Sequence, residues 1–341
     1  MLMPKALYHI SLTNFLFESR VLKEVRSVKK LNIFTRIYIL ALHKEGLKQI
    51  ERIEGDIILI RIKLNCRNAP MIKKLKIFTY LELFFKLLLI IKRSKKSLIS
   101  VHVIDLLPIS IFLKIILRSP IIYDAHELET HTNSNPLSIN IKRLIEFLFV
   151  PFVNLIIVVN ESILDIYKRR FPRTRIISVY NAPYLTPTIK SNYLRERFNI
   201  PGDKKIYLYQ GGLVTGRGIE YLLEVFSFIE NRDRILFFLG YGELEPLILK
   251  YTKQFSNIYF LNAVHPDKLL EVTASCDFGL SLIENVCLSY YYCLPNKVLE
   301  MLMCRKPVVV SDLVEMRNLV SKYKIGVIAK KLSFESINES L

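Results

Sequence analysis

The stretch Tyr207-Leu-Tyr-Gln-Gly-Gly-Leu-Val-Thr-Gly-Arg-Gly-Ile-Glu-Tyr-Leu-Leu223 joins an apolar run, a glycine-rich turn and the start of an amphipathic helix. Its four glycines are Gly211, Gly212, Gly216 and Gly218. Glycine lets the backbone approach a ligand closely, and the first turn of the following helix offers free N–H groups to an anion. Arg217 adds a positive charge suited to phosphate oxygens. We therefore expect a strand, turn and helix that bind phosphate, in preference to an ordinary αβ turn.

This stretch differs from two common phosphate-binding patterns. A P-loop needs Lys followed by Ser or Thr after its glycines, and the dinucleotide-binding turn has the pattern GxGxxG. Neither pattern is present here. The sequence therefore gives no support to an ATPase or a dinucleotide-dependent enzyme.

On both sides of this stretch, short apolar runs alternate with segments of helical period, which predicts repeated βαβ units. Strands are predicted in the first half at 6–11, 33–40, 57–62, 97–103, 121–123, 155–159 and 176–180, with a helix at about 19–30. Strands are predicted in the second half at 205–210, 235–240, 258–261, 278–282 and 307–310, with helices at 219–229, 244–255, 266–275 and 296–303.

A proline-rich stretch interrupts this alternation between Asn181 and Asp203. The prediction is an α/β protein with two doubly wound, Rossmann-like domains, 1–180 and 204–341, joined by the linker 181–203. Two such domains facing each other predict a cleft that binds ligands at the carboxyl ends of the strands.

Charge is distributed unevenly between the two halves of the 341-residue chain. Of the formal net charge of +18, residues 1–180 carry +16 and residues 181–341 carry +2. An anionic partner for the first half is one explanation, and a generally Lys- and Ile-rich composition is the other. Nucleic-acid binding has no further support, because no RNA-recognition motif, zinc-ligand spacing or helix-turn-helix pattern is visible.

The cysteines and the apolar runs favour a cytoplasmic protein. The five cysteines include no CxxC pair, which argues against a disulfide scaffold or a zinc knuckle and is typical of a reducing compartment. No apolar run reaches the roughly 18–20 residues that a membrane-spanning helix needs. The N-terminus resembles a first strand more than a signal peptide.

The segment Met71–Ser97 is nevertheless unusual, because eight basic residues and one acid, Glu82, surround an apolar centre. The basic residues are Lys73, Lys74, Lys76, Lys86, Lys92, Arg93, Lys95 and Lys96. Such a segment is expected either to lie along an anionic membrane surface or to pack as a core helix with a solvated basic end. The two alternatives have equal support.

Two further stretches place polar groups where strands or helices meet a ligand site. Ile121-Ile-Tyr-Asp-Ala-His-Glu127 is a strand that ends in Asp124, His126 and Glu127, and a histidine there can orient or transfer a proton. Glu300 lies in a helix that starts after Pro295, where a carboxylate could accept hydrogen bonds from sugar hydroxyls. The turn Gly240-Tyr-Gly-Glu243 is a weaker signal, since glycines there often serve packing alone.

These stretches resemble, in order and over nearly the whole chain, the family 4 glycosyltransferases, which are retaining enzymes with the GT-B fold that use nucleotide-sugar donors. The matching segments are SRVLKEVRSV (19–28), YDAHELET (123–130), VYNAP (179–183), QGGLVTGRGIEYLL (210–223), LGYGELEPL (239–247) and LPNKVLEMLMCRKPVVVSD (294–312). The resemblance implies a donor site in the second half, an acceptor site in the first, and no metal or other cofactor. The absence of an Asp-x-Asp pair agrees with this, because metal-dependent transferases of the other main fold hold Mg²⁺ or Mn²⁺ with such carboxylates.

The resemblance also assigns roles to individual residues. It implies that Arg217 contacts the donor diphosphate, that Glu300 contacts the nucleotide ribose and that His126 lies beside the transferred sugar. The other expected donor-binding residues are Gly211, Gly212, Gly242, Asn296 and Lys297. Asp124, Glu127, Glu284 and Tyr292 are further candidates.

Three departures from the family pattern affect these expectations. Gly212 stands where the family often has Arg, which predicts one phosphate contact fewer. The first glutamate of the family's E-x7-E pair is replaced by Tyr292, and Glu284 is a candidate substitute. The chain ends at SFESINESL, where the family usually continues into further helices, which predicts a truncation or an unusual domain closure.

The predicted function is sugar transfer from a nucleotide diphosphate donor to a surface polysaccharide or lipid-linked glycan, by a cytoplasmic enzyme on the inner face of the membrane. The enzymatic alternatives are a nucleotide-sugar epimerase or a phosphorylase on the same fold. A degenerate, inactive copy is the non-enzymatic alternative. The base, sugar, acceptor and linkage are open at this point.

Overall fold

The computed structural model describes residues 5–16, 18–66, 76–94, 96–187, 189–228 and 233–341. The chain divides into two compact units, Met1–Val179 and Tyr180–Leu341. Each unit is an α/β layer structure built on its own sheet, which confirms the predicted fold class.

The first unit is built on a sheet with the strand order β3-β4-β2-β1-β5-β6-β7-β8 among the described residues. Its strands are β1 (Ala6–Ile10), β2 (Arg36–Leu42), β3 (Ile50–Glu54), β4 (Ile57–Ile62), β5 (Ser97–Val101), β6 (Ile121–Ala125), β7 (Leu155–Val158) and β8 (Ile176–Ser178). Its helices are α1 (Ser19–Lys30), α2 (Lys76–Ile91), α3 (Leu107–Leu117), α4 (Pro136–Phe149) and α5 (Glu161–Arg170). All strand pairs are parallel except β3 with β4.

Helices cover both faces of this sheet, as the direction of the crossovers requires. The connection from β1 through α1 runs one way along the sheet, whereas those through α2, α3, α4 and α5 run the other way. Because such crossovers are right-handed, α1 lies on one face and α2–α5 lie on the opposite face. Val21 and Val25 of α1 are fully buried, in a core cluster with Leu7, Ile39 and Leu59. The predicted helix at about 19–30 is therefore confirmed, and its side with Val21 and Val25 packs in the core.

The second unit has an entirely parallel sheet with the order β11-β10-β9-β12-β13-β14 in the described part of the chain. Its strands are β9 (Lys205–Gly212), β10 (Arg234–Tyr241), β11 (Ile258–Asn262), β12 (Phe278–Ser281), β13 (Val308–Ser311) and β14 (Gly326–Ala329). Its helices are α6 (Tyr193–Phe198), α7 (Ile219–Ser227), α8 (Glu245–Gln254), α9 (Pro266–Ala274), α10 (Leu288–Tyr291), α11 (Asn296–Met303), α12 (Val314–Tyr323) and α13 (Phe334–Ser340). The central strands are buried on both faces, with Leu208 and Phe237 in one core cluster and Tyr209 and Phe238 in the other.

Part of the predicted linker 181–203 is folded. It contains α6, and both Leu194 and Ile200 are buried in a core cluster of the second unit. The prolines around this short helix lowered its signal in the sequence. Within the described residues, no helix combines the length and apolar character needed to cross a bilayer.

In each sheet there is one topological switch point, where successive strands are added on one side before it and on the opposite side after it. In the first unit this switch lies between β1 and β5, and in the second it lies between β9 and β12. Ligands of doubly wound sheets bind outside the carboxyl ends of the strands at such switches. Binding sites are therefore expected at the residues that follow these strands.

Candidate functional site

The glycine-rich turn leads from the carboxyl end of β9 into α7, at the switch of the second sheet. Gly218 precedes the first residue of α7 with φ +71°, and a Cβ atom there would lie 2.1 Å from the carbonyl oxygen of Leu282, which follows β12. The amide of Glu284 donates to the Gly216 carbonyl at 3.0 Å, and the amide of Thr215 donates to the Glu243 carboxylate at 3.0 Å. The turn is thus held against the ends of β10 and β12, with the α7 N-terminus beside it.

Two cations lie at this turn. The Lys297 ammonium, from the first turn of α11, lies 3.5 Å from the centre of the Tyr209 ring, and its Cε would lie 3.6 Å from a Cβ atom on Gly211. The Arg217 guanidinium lies 4.3 Å from the centre of the Tyr290 ring. Aromatic faces attract cations, so both side chains are supported by rings beneath them.

Lys297 lacks the partner that a buried ammonium normally has. Its Nζ is buried without a hydrogen-bond partner among the described residues, although the residue as a whole is partly exposed. Burial lowers the pKa of Lys297 to about 7, and repulsion from the nearby Arg217 makes a smaller contribution in the same direction. A bound anion would supply the missing charge and hydrogen-bond acceptors, so this position fits a phosphate group.

Glu300 is fixed in orientation by a buried polar chain. Thr273 donates from its hydroxyl to the Gln210 side-chain oxygen at 2.9 Å, and Gln210 donates from its amide to Glu300 at 2.6 Å. Gln210 is the last residue before Gly211, so the carboxylate is tied to the glycine-rich turn. Asn296, at the start of the same helix, accepts from the Asn181 amide at 2.8 Å.

The other predicted donor residues of this unit differ in their surroundings. Gly212 is exposed with open space around it, whereas Gly242 packs so closely that a Cβ would lie 2.3 Å from the Leu213 carbonyl oxygen. Glu284 contacts the turn through its backbone. Burial raises the pKa of its carboxyl group, and repulsion from the neighbouring Glu220 carboxylate adds to the rise. The Tyr292 ring packs edge-on against Tyr291, and the tyrosine that contacts Arg217 is Tyr290.

In the first unit, Asp124 and His126 belong to a buried polar network at the switch between β1 and β5. Asp124 is fully buried at the end of β6 and accepts from Arg20 of α1 through Nε at 3.0 Å and Nη2 at 2.5 Å. Its Oδ2 also lies 3.0 Å from His102 Nδ1 and 2.9 Å from His126 Nε2. His102 Nε2 lies 2.9 Å from His9 Nδ1.

One set of neutral tautomers satisfies these contacts. In this set His126 Nε2–H and His102 Nδ1–H both donate to Asp124. His102 Nε2 then accepts from His9 Nδ1–H. The buried His9 Nε2 remains as a lone pair without a hydrogen-bond partner among the described residues. Burial lowers the pKa of both His9 and His102, which favours the neutral rings. In this arrangement Nδ1 of the partly exposed His126 is an acceptor, suited to a hydroxyl group.

Asp124 is the charged carboxylate of the network. Burial alone would raise its pKa, but hydrogen bonds from His102, His126 and Arg20 hold that pKa well below its usual range. Glu24 lies one helical turn after Arg20, with Oε1 3.1 Å from Arg20 Nε. Burial and the neighbouring Asp124 carboxylate raise the pKa of Glu24 to about 9, which favours its protonated form at neutral pH.

Four of these side chains could in principle hold a metal ion. One ligand atom from each of Glu24, His102, Asp124 and His126 lies within 4.8 Å of the others. Arg20 already donates to both oxygens of Asp124, which satisfies the carboxylate by hydrogen bonding. The third predicted residue, Glu127, is exposed, and its neighbour Glu129 is buried and accepts from the Ile104 amide at 2.9 Å.

Sequence reasoning missed part of this network. His9, Arg20, Glu24 and His102 were not singled out, although the strands that carry the two histidines were expected. The available signal was a histidine at the end of each of two apolar strands, because parallel strands bring their carboxyl ends to one edge. Which strands are neighbours is not visible in a single sequence.

Comparisons with known proteins agree with this architecture. Residues 191–341 match the model of the family described as glycosyl transferases group 1. None of the curated proteins matches the chain's sequence at a significant level.

Solved structures with the same fold include sucrose-phosphate synthase from Thermosynechococcus elongatus, with 14% identity, coverage of 98% of this chain and 88% of that chain, and a TM-score of 0.76. The Anabaena protein HepE in complex with UDP-glucose has 13% identity, the same two coverages and a TM-score of 0.70. A glycosyltransferase from Rickettsia africae has 12% identity, coverage of 98% and 86%, and a TM-score of 0.68. At these identities the similarity establishes the fold, which is that of the GT-B glycosyltransferases. The second unit therefore matches the glycosyl transferases group 1 over residues 191–341, and the chain shares the GT-B fold of the solved structures.

Proposed function

We propose that this chain transfers a sugar from a nucleotide diphosphate donor to a hydroxyl group of a surface polysaccharide or lipid-linked glycan, with retention of the anomeric configuration. The observation that carries the proposal is the buried, unpartnered ammonium of Lys297 beside Arg217 at the glycine-rich turn. Neither cation forms an ion pair with a described residue, so a bound diphosphate would stabilise both. UDP-glucose in the HepE structure supports a UDP-sugar as the first donor to test.

The reaction breaks the bond between the anomeric carbon and the β-phosphate oxygen and forms a bond to the acceptor oxygen. The acceptor proton leaves with the diphosphate or to solvent. Negative charge develops on the departing diphosphate, and Arg217, Lys297 and the N-terminal amides of α7 would stabilise it. Because these groups supply the positive charge, we propose that no metal ion is needed.

Lys297 would also compensate for Gly212. Arg at that position is common in the family, and its absence predicted one phosphate contact fewer. The Lys297 ammonium approaches the same turn from α11, next to Gly211. Glu300, oriented by Gln210, is proposed to bind the ribose hydroxyls.

The first unit is proposed to bind the acceptor. It has a cavity of about 800 Å³ beyond the carboxyl ends of β1, β2 and β4. Polar side chains line it, among them Thr13, Asn14, His43, Lys44 and Lys63. A lipid-linked acceptor would place the enzyme on the inner face of the cell membrane as a peripheral protein.

The proposal is tested by calorimetric titration with UDP, GDP and ADP, followed by transfer assays with the matching nucleotide sugars in EDTA. We expect one nucleoside diphosphate to bind clearly more tightly than the others, and NMR to show product with the donor's anomeric configuration. An inverted product would refute retention. Binding without transfer or hydrolysis of any donor would favour the inactive copy, and conversion of the donor sugar without an acceptor would favour an epimerase.

His126 is expected to affect turnover more than donor binding. Replacing it with Ala removes a hydroxyl acceptor and one hydrogen bond to Asp124, and should lower kcat about 100-fold, the usual scale for a positioned polar group. The affinity for the nucleoside diphosphate should change less than about twofold, since the donor residues lie in the other unit. His126→Gln should recover part of the rate, and His131→Ala is the matched control. Wild-type turnover in His126→Ala would remove this role.

A further inference from the structure

Helix α2 is apolar on two sides. One side is buried through Leu83, Leu87 and Ile91. The other side carries a row at four-residue spacing, Ile77, Leu81, Phe85 and Leu89, in which each residue is 46–60% exposed. The sequence of the segment 71–97 predicts either a core helix or an interfacial helix. Helix α2 is buried on one side and presents large apolar groups to solvent on the other.

The two neighbouring helices continue this exposed apolar surface. Helix α3 contacts both α2 and α4, and all three lie on one face of the sheet. On α3 and α4 the exposed large apolar residues are Phe112, Ile115, Ile116, Leu137, Ile141, Leu144, Phe147 and Leu148, each 46–71% exposed. We call the exposed side of these three helices the α2–α4 surface.

Such a surface is unusual for a protein that is solvated on all sides. Contiguous apolar patches on monomers rarely exceed about 300–600 Å², and larger ones mark contacts with a protein or a membrane. In α2 and α3 a separate set of residues is buried, whereas α4 buries only Glu146 fully and half-buries Ile139, Ile145 and Phe149. A partner that covers these side chains would remove them from water.

The charged residues at the edges of the α2–α4 surface indicate the chemical class of the partner. Lys92, Arg93 and Lys96 are exposed just after α2, and Arg118 is exposed just after α3. The acids of these helices are already engaged: Glu82 accepts from Lys86 at 2.7 Å, and the buried Glu146 accepts from Arg170 at 2.9 Å. The surface thus combines apolar side chains with basic ones, which suits an anionic lipid layer and would make two copies of the chain repel each other.

We propose that the α2–α4 surface docks on an anionic lipid bilayer, with the apolar residues in the headgroup region and the basic residues on lipid phosphates. The proposal deepens the proposed function, because a lipid-linked acceptor would be carried by that bilayer, but docking itself does not require transfer. It extends the predicted segment 71–97, of which Lys73, Lys74 and Lys95 lie outside the described residues. The proposed membrane contact therefore involves α2, α3 and α4, and not the segment 71–97 alone.

The test is co-sedimentation of the full chain with vesicles of phosphatidylcholine alone and of phosphatidylcholine mixed with phosphatidylglycerol. We expect binding to the mixed vesicles only, weakening as salt is raised. Exchanging Phe85, Phe112 and Phe147 for Gln should lower the partition coefficient at least about tenfold, as should Lys92→Glu combined with Arg93→Glu. The matched control exchanges exposed apolar residues of the second unit, Leu249→Gln with Val327→Gln, and should bind as wild type.

The Phe→Gln and the Lys92→Glu/Arg93→Glu variants change only exposed side chains, so we expect both to fold. Titration of the same samples with UDP checks that the second unit is intact. Normal UDP binding with lost vesicle binding supports docking. Equal binding to neutral vesicles, or vesicle binding unchanged in both variants, overturns the proposal. Concentration-dependent dimerisation abolished by the Gln variant, without binding to anionic vesicles, would assign the surface to a second copy. Failure of UDP, GDP and ADP all to bind in wild type would count against the proposed function alone.

Discussion

Replacing Lys297 with Met should weaken binding of the preferred nucleoside diphosphate about 30- to 150-fold, which corresponds to about 2–3 kcal/mol for a charge-assisted contact. The reason is that its Nζ is buried, lacks a partner among the described residues and lies over Tyr209 at the glycine-rich turn. Arg217→Ala should cost about 1.5–3 kcal/mol in the same titration. Both affinity losses are measured by calorimetric titration with the nucleoside diphosphate that the wild-type protein binds most tightly.

A stability measurement separates lost binding from lost folding. Lys297→Met removes an ammonium whose pKa is depressed by burial, so the unliganded variant should have a higher Tm than wild type. Lys250→Met, which changes an exposed lysine of α8, should affect neither quantity. Wild-type affinity in Lys297→Met and in Arg217→Ala would show that the diphosphate binds elsewhere.

Donor affinity should also depend on pH through Lys297. Because the pKa of Lys297 is about 7 in the free protein and a bound diphosphate stabilises the ammonium, binding takes up a proton above pH 7. Affinity should therefore fall as pH rises from 7 to 9, by at most about tenfold per unit. Lys297→Met should lose this slope and keep only the titration of the nucleotide itself. An identical slope in both proteins would assign the pH dependence to another group.

The elements of the second sheet were largely predictable from the sequence because each is a continuous apolar strand followed by a clear helical period. The glycine-rich turn was predictable for the same reason, since a buried strand, four glycines and an amphipathic helix follow one another without interruption. The edge strand β3, Ile-Glu-Arg-Ile-Glu, was missed because three of its five residues are charged. It pairs antiparallel at the sheet edge, where exposed charged side chains are tolerated.

The sites were predictable only where one stretch of sequence carries them. Asp124 and His126 share a strand end, and Arg217 lies within the glycine-rich turn. The environment of Lys297 depends on side-chain contacts that join α11 to the end of β9 across almost 90 residues of sequence, namely Lys297 with Tyr209 and Glu300 with Gln210. Periodicity contains no information about such contacts. His9, Arg20 and His102 converge on Asp124 for a similar reason: strand order, which a single sequence does not reveal, makes β1, β5 and β6 neighbours.

Asp124→Asn should lower the free energy of unfolding by about 3 kcal/mol at pH 7, at the lower end of the range for breaking a buried ion pair. The substitution removes the charge that Arg20, His102 and His126 surround in a fully buried position. The loss should stay at this lower end because Glu24, which the Asp124 charge keeps protonated, can then ionise beside Arg20. Urea unfolding of wild type and variant measures the difference.

A double-mutant cycle tests whether Glu24 is this reserve partner. Glu24→Gln alone should cost less than about 1 kcal/mol at pH 7, because it replaces one neutral hydrogen-bonding group with another. Combined with Asp124→Asn it leaves Arg20 without either carboxylate, so the double variant should lose at least about 1 kcal/mol more than the sum of the single losses. Additive losses would mean that Glu24 is already ionised in the wild-type protein. In that case the two carboxylates would share Arg20, and the network would carry one more negative charge next to His126 than the raised pKa of Glu24 implies.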